Sequence, residues 1–198
     1  MLVEAAVALA CAGAPREPDR GYRMAFDGTA QSLRRWQQAG PGSFELTSKC
    51  RLRSRGGMGL LWWDRKLRRP YTVRATWRMV GDSNSGVFIG FPRAGDDPQV
   101  AITRGYEVQI DRTDVPENTT GALYGVQAPE VARRDRALRD GWNTFDITVG
   151  RRVVVRLNGV VVNTLVAPDP ARVGGGYFGL QNHGDSDVVE YRDVQIRT

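Results

Sequence analysis

Alternation of apolar and polar residues runs through the chain from about residue 43 onward. In the segment 71–80, YTVRATWRMV, tyrosine, valine, alanine, tryptophan and methionine fall on one face, and threonine and arginine fall on the other. A period of two residues is that of a β-strand, whose side chains point alternately to opposite sides. Further short segments bounded by Gly, Pro, Asp or Asn also predict strands: 86–91, 105–111, 121–126, 142–149, 177–183 and 188–197.

The strongest local signal is the pair Asn158-Gly159, which lies between two β-branched runs, 153–157 and 160–165. A two-residue type I′ turn requires positive φ at both central positions, and asparagine and glycine adopt such values readily. The pattern therefore predicts a tight β-hairpin.

Taken together, the predicted elements describe an all-β protein. A helical period is found only in the N-terminal arm and in the segment 129–140. About ten short strands with one apolar face are typical of an antiparallel β-sandwich, and 198 residues fit one such domain. We expect an N-terminal arm or helix over residues 1–20 and the β-sandwich over residues 21–198.

The N-terminus allows two interpretations. Residues 2–14 are rich in alanine and include Cys11, as in a signal or lipoprotein segment. However, Glu4 occupies the place of the positive charge that such a segment carries. A packed arm is therefore favoured, and with it a cytoplasmic rather than an extracytoplasmic protein. Whether Cys11 and Cys50 pair stays open, because sequence does not show that they meet.

Composition excludes several classes of protein. One histidine and two cysteines are too few for a zinc finger, an HExxH metalloprotease or an iron–sulfur site. No apolar run approaches the roughly 18 residues of a membrane-spanning helix. The glycines do not have the spacing of a phosphate loop or a dinucleotide fingerprint, so no nucleotide cofactor is expected.

The net charge of +6 comes almost entirely from arginine, since only Lys49 and Lys66 among the 28 basic residues are lysines. Acidic residues are interspersed with the basic cluster at 133–140, and no nucleic-acid motif accompanies any cluster. We therefore expect solvated surface and no nucleic-acid partner.

Polar residues on the outward faces of three predicted strands are the first candidates for a site. Positions 106, 108 and 110 are apolar and must face the core, so the residues between them point outward. The same reasoning applied to segments 71–80 and 177–183 completes an outward set: Arg78, Glu107, Gln109, Asp111, Gln181 and His183. If these strands neighbour one another in one curved sheet, they form a polar concave floor suited to sugar hydroxyls. The alternative is an ordinary solvated sheet face with cross-strand ion pairs.

Two aromatic residues are candidates for contact with a sugar ring. Trp62 and Trp63 are adjacent, so on a strand one of them must point outward. We take Trp63 as the candidate for stacking beside the polar floor, and Tyr124 as the second aromatic candidate.

At these residues the sequence resembles the bacterial 3-keto-disaccharide hydrolase domain family, from about residue 24 to the C-terminus. The matching pieces are FDG (26–28), NSGVF (84–88), GYEVQI (105–110), TGALY (120–124), GWNT (141–144), LNG (157–159) and GLQNHG (179–184). The resemblance implies a concanavalin A-like jelly roll that cleaves glycosides whose sugar carries a ketone at C3. Asn182 replaces the usual aspartate of the last piece, and alternation turns this position toward the core, which makes a catalytic role unexpected.

The implied reaction begins at the hydrogen on C2, which the neighbouring C3 ketone acidifies. It needs a base, an acid for the leaving group and an electrophile for the enolate oxygen. His183 is the natural proton shuttle, because an imidazole gains and loses a proton near neutral pH. Glu107 is the alternative base or the acid, and a carboxylate at Asp111 would raise its pKa.

Two candidates remain open for stabilising the enolate. One is Arg78, and the other is a divalent cation held by Glu107, Asp111 or His183. Sugar hydroxyls would be bound by three amide side chains: Asn84, Gln109 and Gln181.

A second class of function competes with the enzyme, because the same sandwich often only binds sugar. A non-catalytic carbohydrate-binding module would need exposed aromatic rings and no proton-transfer pair. In either case the expected ligand is a carbohydrate or glycoside, and a partner subunit or a homo-oligomer stays open.

Overall fold

The alternating segments fold into two antiparallel β-sheets that face each other across one hydrophobic core. The computed structural model describes residues 14–198. Within this range the strands are β1 (Arg23–Phe26), β2 (Trp36–Ala39), β3 (Ser43–Leu46), β4 (Leu52–Arg55), β5 (Gly59–Trp63), β6 (Tyr71–Met79), β7 (Ser85–Phe91), β8 (Tyr106–Ile110), β9 (Asn143–Val149), β10 (Val153–Leu157), β11 (Val160–Leu165), β12 (Tyr177–Asn182) and β13 (Val189–Arg197). The predicted all-β sandwich is confirmed.

The two sheets differ in size. The larger sheet has eight strands in the order β11-β10-β9-β6-β13-β4-β3, and β1 also pairs with β13. The smaller sheet has five strands in the order β2-β5-β12-β7-β8. Non-sequential neighbours such as β12 between β5 and β7 bring segments that are far apart in the chain onto one surface.

Side chains from both sheets fill the space between them. Trp77, Phe145 and Tyr191 of the larger sheet and Phe178 and Val87 of the smaller sheet are fully buried in the same cluster. Removing this apolar surface from water is the main favourable contribution to folding.

Among the described residues, three α-helices lie outside the sheets: α1 (Gln99–Arg104), α2 (Val131–Ala137) and α3 (Pro170–Val173). Helix α1 covers part of the outward face of the smaller sheet, where its Ala101 packs in a second apolar cluster with Trp62, Phe88 and Phe91. Helix α2 lies within the segment 129–140, for which the sequence predicts a helix.

The predicted hairpin is confirmed. Leu157 pairs with Val160, and the two residues between them have φ values of 50° and 86°, as a type I′ turn requires. By contrast, the prediction of a strand over 121–126 is wrong. Only isolated bridges form there, from Leu123 to Val108 and to Gln127, because two closely spaced turns with positive φ at Gly121 and Gly125 interrupt the extended backbone.

The predictions for the N-terminal arm or signal-like segment and for Cys11 lie mostly or wholly in residues 1–13, outside the described residues. Within residues 14–198, no helix is long and apolar enough to cross a membrane.

Candidate functional site

The outward face of the smaller sheet carries the polar residues that alternation predicts. On β8, Tyr106, Val108 and Ile110 are buried in the core between the sheets, so Glu107 and Gln109 lie on the opposite face. On β12, Phe178 and Leu180 face the core in the same way and turn Gln181 outward. Strand β7 lies between β12 and β8, so these polar residues share one surface.

The register between β7 and β8 leaves room for a side chain above Gly86. Gly86 pairs with Gln109, and Phe88 pairs with Glu107. A Cβ atom on Gly86 would lie 2.2 Å from Oε1 of Glu107, so the carboxyl group occupies the space above the glycine. There the Glu107 carboxyl is within hydrogen-bonding reach of the Gln181 side chain.

Glu107 is a neutral carboxylic acid at neutral pH. Only 8% of its surface is exposed, and this burial raises its pKa from 4.5 to about 8, although the hydrogen bond from Gln181 acts in the opposite direction. The sequence analysis predicted that the Asp111 carboxylate would raise the pKa of Glu107. This prediction was wrong, because burial is the cause and Asp111 does not contribute to the shift. The carboxyl oxygen Oε1 has no hydrogen-bond partner among residues 14–198.

His183 follows β12 directly, and an aspartate orients its imidazole ring. Nδ1 of His183 lies 2.8 Å from Oδ2 of Asp187. The intervening Gly184 permits this contact, since a Cβ atom there would lie 2.8 Å from the same oxygen. The His183 side chain is 48% exposed, so the ring is open to a ligand. Sequence reasoning missed Asp187, although an acid four residues after a lone histidine in a glycine-containing loop is a usable signal.

Asn84 ties this pair to the end of β8. Its backbone N–H donates to Oδ1 of Asp187 at 2.8 Å, and its side-chain Nδ2 donates to Oδ2 of Asp111, also at 2.8 Å. The other oxygen of Asp111 accepts from the backbone N–H groups of Thr113 and Asp114. Asp111 therefore holds the loop that carries Asn84 and has little freedom to act as a base.

Four carboxamide oxygens at this end of the sheet have no hydrogen-bond partner in the described part of the chain: Asn84 Oδ1, Gln109 Oε1 and Gln181 Oε1 beside the candidate site, and Asn182 Oδ1 on the core side of β12. Such groups are costly to bury unless something donates to them, so they mark a place for a ligand or ordered water.

Two of the predicted site residues lie elsewhere. Arg78 belongs to β6 in the larger sheet, where it bonds Glu190 at 2.8 Å and stacks on Trp142, so the prediction that it joins the floor is wrong. The prediction that Trp63 points outward is also wrong. Its ring faces the core and packs against Phe178, with 4% of its surface exposed.

The outward member of the tryptophan pair is Trp62, but it is not open to a ligand. It is 1% exposed, because Tyr177 packs against its ring and the guanidinium of Arg93 lies over it at 5.4 Å. Tyr124 is 46% exposed, and its backbone N–H donates to the carbonyl oxygen of Glu107 at 3.0 Å. Tyr124 is thus the predicted aromatic residue that lies beside the site.

The proposed cation ligands do not converge. Within residues 14–198, no three His, Cys, Asp or Glu side chains are grouped so that they could hold a metal ion. Instead, Asp111 is bonded to Asn84, His183 to Asp187, and Glu107 lies over Gly86.

Asn182, which replaces the aspartate of the family pattern, has a structural role. It is fully buried, and its Nδ2 donates to the carbonyl oxygens of Arg55 at 2.7 Å and Gly56 at 3.1 Å. An ionised aspartate could not donate these bonds, so this chain uses the amide to hold the turn between β4 and β5.

Fold and geometry together define a lectin-like β-sandwich with a polar candidate site on the outward face of its smaller sheet. Residues 21–197 match the model of the 3-keto-alpha-glucoside-1,2-lyase-like domain, and the chain belongs to this family. The resemblance inferred from the sequence is confirmed, and membership supports a glycoside-acting enzyme.

Solved structures share the fold at low identity. A Parabacteroides distasonis protein provisionally assigned as a glycosyl hydrolase is 18% identical, with a TM-score of 0.69 over 89% of this chain and 98% of its own. The carbohydrate-binding module CBM66 of Bacillus subtilis is 11% identical, with a TM-score of 0.57 over 83% and 96%. The exoplasmic/lumenal domain of VIP36, solved with Ca²⁺ and a glycan bound, is 13% identical, with a TM-score of 0.54 over 92% and 90%. No curated protein matches the sequence.

Proposed function

We propose that this protein cleaves glycosides whose sugar carries a ketone at C3, by elimination across C1 and C2 followed by hydration. One arrangement carries the proposal: an aspartate-oriented imidazole follows β12 directly, and a buried neutral carboxyl group on β8 lies within hydrogen-bonding reach of Gln181 on that same β12. Such a pair supplies a base and an acid of different character within one site. The family description, which names a 1,2-lyase, agrees with this order of steps.

In the first step His183 removes the proton from C2. Asp187 holds Nδ1 of the ring at 2.8 Å, which leaves Nε2 as the basic nitrogen and stabilises the imidazolium that forms. The electron pair of the C2–H bond moves toward the C3 carbonyl, so negative charge develops on the C3 oxygen.

In the second step the enolate returns its electron pair, C1 and C2 become doubly bonded, and the bond from C1 to the aglycone breaks. Glu107 gives its proton to the departing oxygen, for which a carboxyl group that stays neutral up to about pH 8 is suited. The resulting carboxylate then takes a proton from water as the water oxygen adds to C1. The imidazolium of His183 returns a proton to C2, and both groups regain their starting states.

The proposal is tested by incubating the purified protein with glycosides oxidised at C3 and with their unoxidised parents. We expect aglycone release from the oxidised set alone, with losses of about a thousandfold or more in His183→Ala and Glu107→Gln, and a smaller loss of ten- to a hundredfold in Asp187→Asn. Glu45→Gln serves as the control, because this carboxylate bonds Arg55 away from the site.

The thermal midpoint is measured for each variant, so that lost activity is not confused with unfolding. Full activity in both His183→Ala and Glu107→Gln would exclude the mechanism. Release from unoxidised parents at the same rate would exclude the role of the ketone.

A non-catalytic carbohydrate-binding module is the second candidate, favoured by the shared fold of CBM66 and the VIP36 domain. Sugar binding without release of any aglycone, from oxidised or unoxidised glycosides, would favour this alternative.

A further inference from the structure

The candidate site has an excess of hydrogen-bond acceptors. Asn84, Gln109 and Gln181 each present a carboxamide oxygen that has no partner among residues 14–198. Gln109 and Gln181 are almost fully buried, so ordinary solvation does not satisfy them. A ligand that binds here must therefore donate hydrogen bonds, as hydroxyl groups do.

The orientation of one of these amides follows from its bond. Nδ2 of Asn84 donates to the Asp111 carboxylate, which turns Oδ1 of Asn84 away from it. Rotating the Asn84 amide by 180° would break this bond, because a carboxylate cannot donate to an amide oxygen.

The loops that hold the site are acidic, although the whole chain has a net charge of +6. Segments 80–84, 111–115 and 183–188 contain five aspartates and one arginine, Arg112. This arginine is already paired, with Nη1 at 2.6 Å from Asp140. An anionic ligand would meet repulsion from the aspartates and would find no unpaired arginine or lysine in these three segments.

We propose that the site selects uncharged sugars, whose hydroxyls donate to Asn84, Gln109 and Gln181, and rejects sugars that carry a carboxylate. This inference rests on the sugar site of the proposed function, but it concerns binding and does not require cleavage. A carboxylate at C6 replaces a hydroxyl group that can donate a hydrogen bond with a group that only accepts, and it adds charge repulsion.

The experiment compares three matched ligands by ligand-observed NMR titration at pH 6.5. They are methyl α-D-glucopyranoside, the corresponding methyl glucuronide, and the methyl ester of that glucuronide, which restores neutrality at nearly the same shape. We expect the neutral glucoside to bind most tightly, the ester, which lacks the C6 hydroxyl donor, to bind up to about tenfold more weakly, and the charged glucuronide to bind about a hundredfold more weakly than the glucoside.

Two variants test the amide contact. Gln109→Met removes one acceptor at similar volume, and we expect it to weaken glucoside binding about tenfold. Gln37→Met is the control, because Gln37 is exposed on the same face of the same sheet but on β2, at the opposite edge from β8.

Equal binding of glucoside and glucuronide, unchanged binding in Gln109→Met, or no binding of the neutral glucoside would each overturn the inference. The outcome is separable from the proposed function. Selective binding without cleavage of any C3-oxidised glycoside would contradict the proposed enzymatic function and support the selectivity for uncharged sugars. Equal cleavage of C3-oxidised glucosides and glucuronides would contradict the selectivity and support the proposed enzymatic function.

Discussion

At the scale of single residues, burial decides the chemical state of Glu107. The carboxyl group lies above Gly86, between β8 and β12, where water cannot solvate a negative charge. Because the neutral form is favoured in the folded protein, its pKa rises to about 8, whereas an exposed glutamate titrates near 4.5. The residue is thus kept as an acid at the pH where its ordinary counterpart is a base.

This shift makes stability depend on pH, and Glu107→Gln removes the dependence. A carboxyl whose folded pKa is raised contributes stability that is fully present below its unfolded pKa of 4.5 and is lost as the pH rises through about 8. Between these values the wild-type free energy of unfolding should fall by about 1.4 kcal/mol per pH unit relative to Glu107→Gln. Urea unfolding of both proteins at pH 5.5, 6.5 and 7.5 measures the difference. Parallel curves would show that Glu107 titrates normally.

At the scale of secondary-structure elements, the register of β7 against β8 positions that carboxyl group. Gly86 stands opposite Gln109, two positions along from the pair of Phe88 with Glu107, and the glycine leaves room for the glutamate side chain to lean across β7. The absence of a side chain at one position of a strand thus creates the site on its neighbour.

Gly86→Ala tests this arrangement. The added Cβ would lie 2.2 Å from Oε1 of Glu107, so the carboxyl must move away from Gln181, and we expect kcat/KM to fall at least tenfold. The control is Gly141→Ala, where a Cβ meets nothing within 4 Å and should leave activity unchanged. Steady-state kinetics and the thermal midpoint of both variants separate displacement of Glu107 from loss of folding. Equal kinetics in the two variants would contradict the role assigned to Gly86.

Sequence periodicity predicts faces of strands well, but it does not predict which strands become neighbours. The outward positions of Glu107, Gln109 and Gln181 follow from the apolar residues beside them, and the structure agrees. Arg78 also points outward as predicted, yet β6 is in the other sheet, because strand order depends on long-range pairing that no local pattern encodes. Asp187 was missed for a related reason, since a loop has no periodicity from which its contact with a histidine could be read.

At the scale of the whole molecule, Tyr191 connects the larger sheet to the floor of the candidate site. It belongs to β13, and its hydroxyl crosses the core to lie 2.9 Å from Oγ of Ser85 and 3.4 Å from the carbonyl oxygen of Gly86. Ser85 in turn donates to the carbonyl oxygen of Gln181 at 2.6 Å. Burial raises the pKa of Tyr191, so the hydroxyl keeps its proton and can donate it to these partners. The two sheets are therefore joined by hydrogen bonds directly beneath the candidate site.

We expect Tyr191→Phe to lower both the stability of the fold and the activity of the candidate site. Loss of the hydroxyl leaves the buried Ser85 hydroxyl without this partner, which costs about 1–3 kcal/mol in the free energy of unfolding, measured by urea denaturation. Because Gly86 and Gln181 lie on the affected strands, we also expect kcat/KM to fall. Tyr106→Phe is the matched control, since its hydroxyl accepts from the backbone N–H of Asp169 at 2.8 Å, so its loss should lower stability without lowering activity. If both variants lose stability but keep full activity, the bond between the sheets supports the fold alone and has no part in positioning the site.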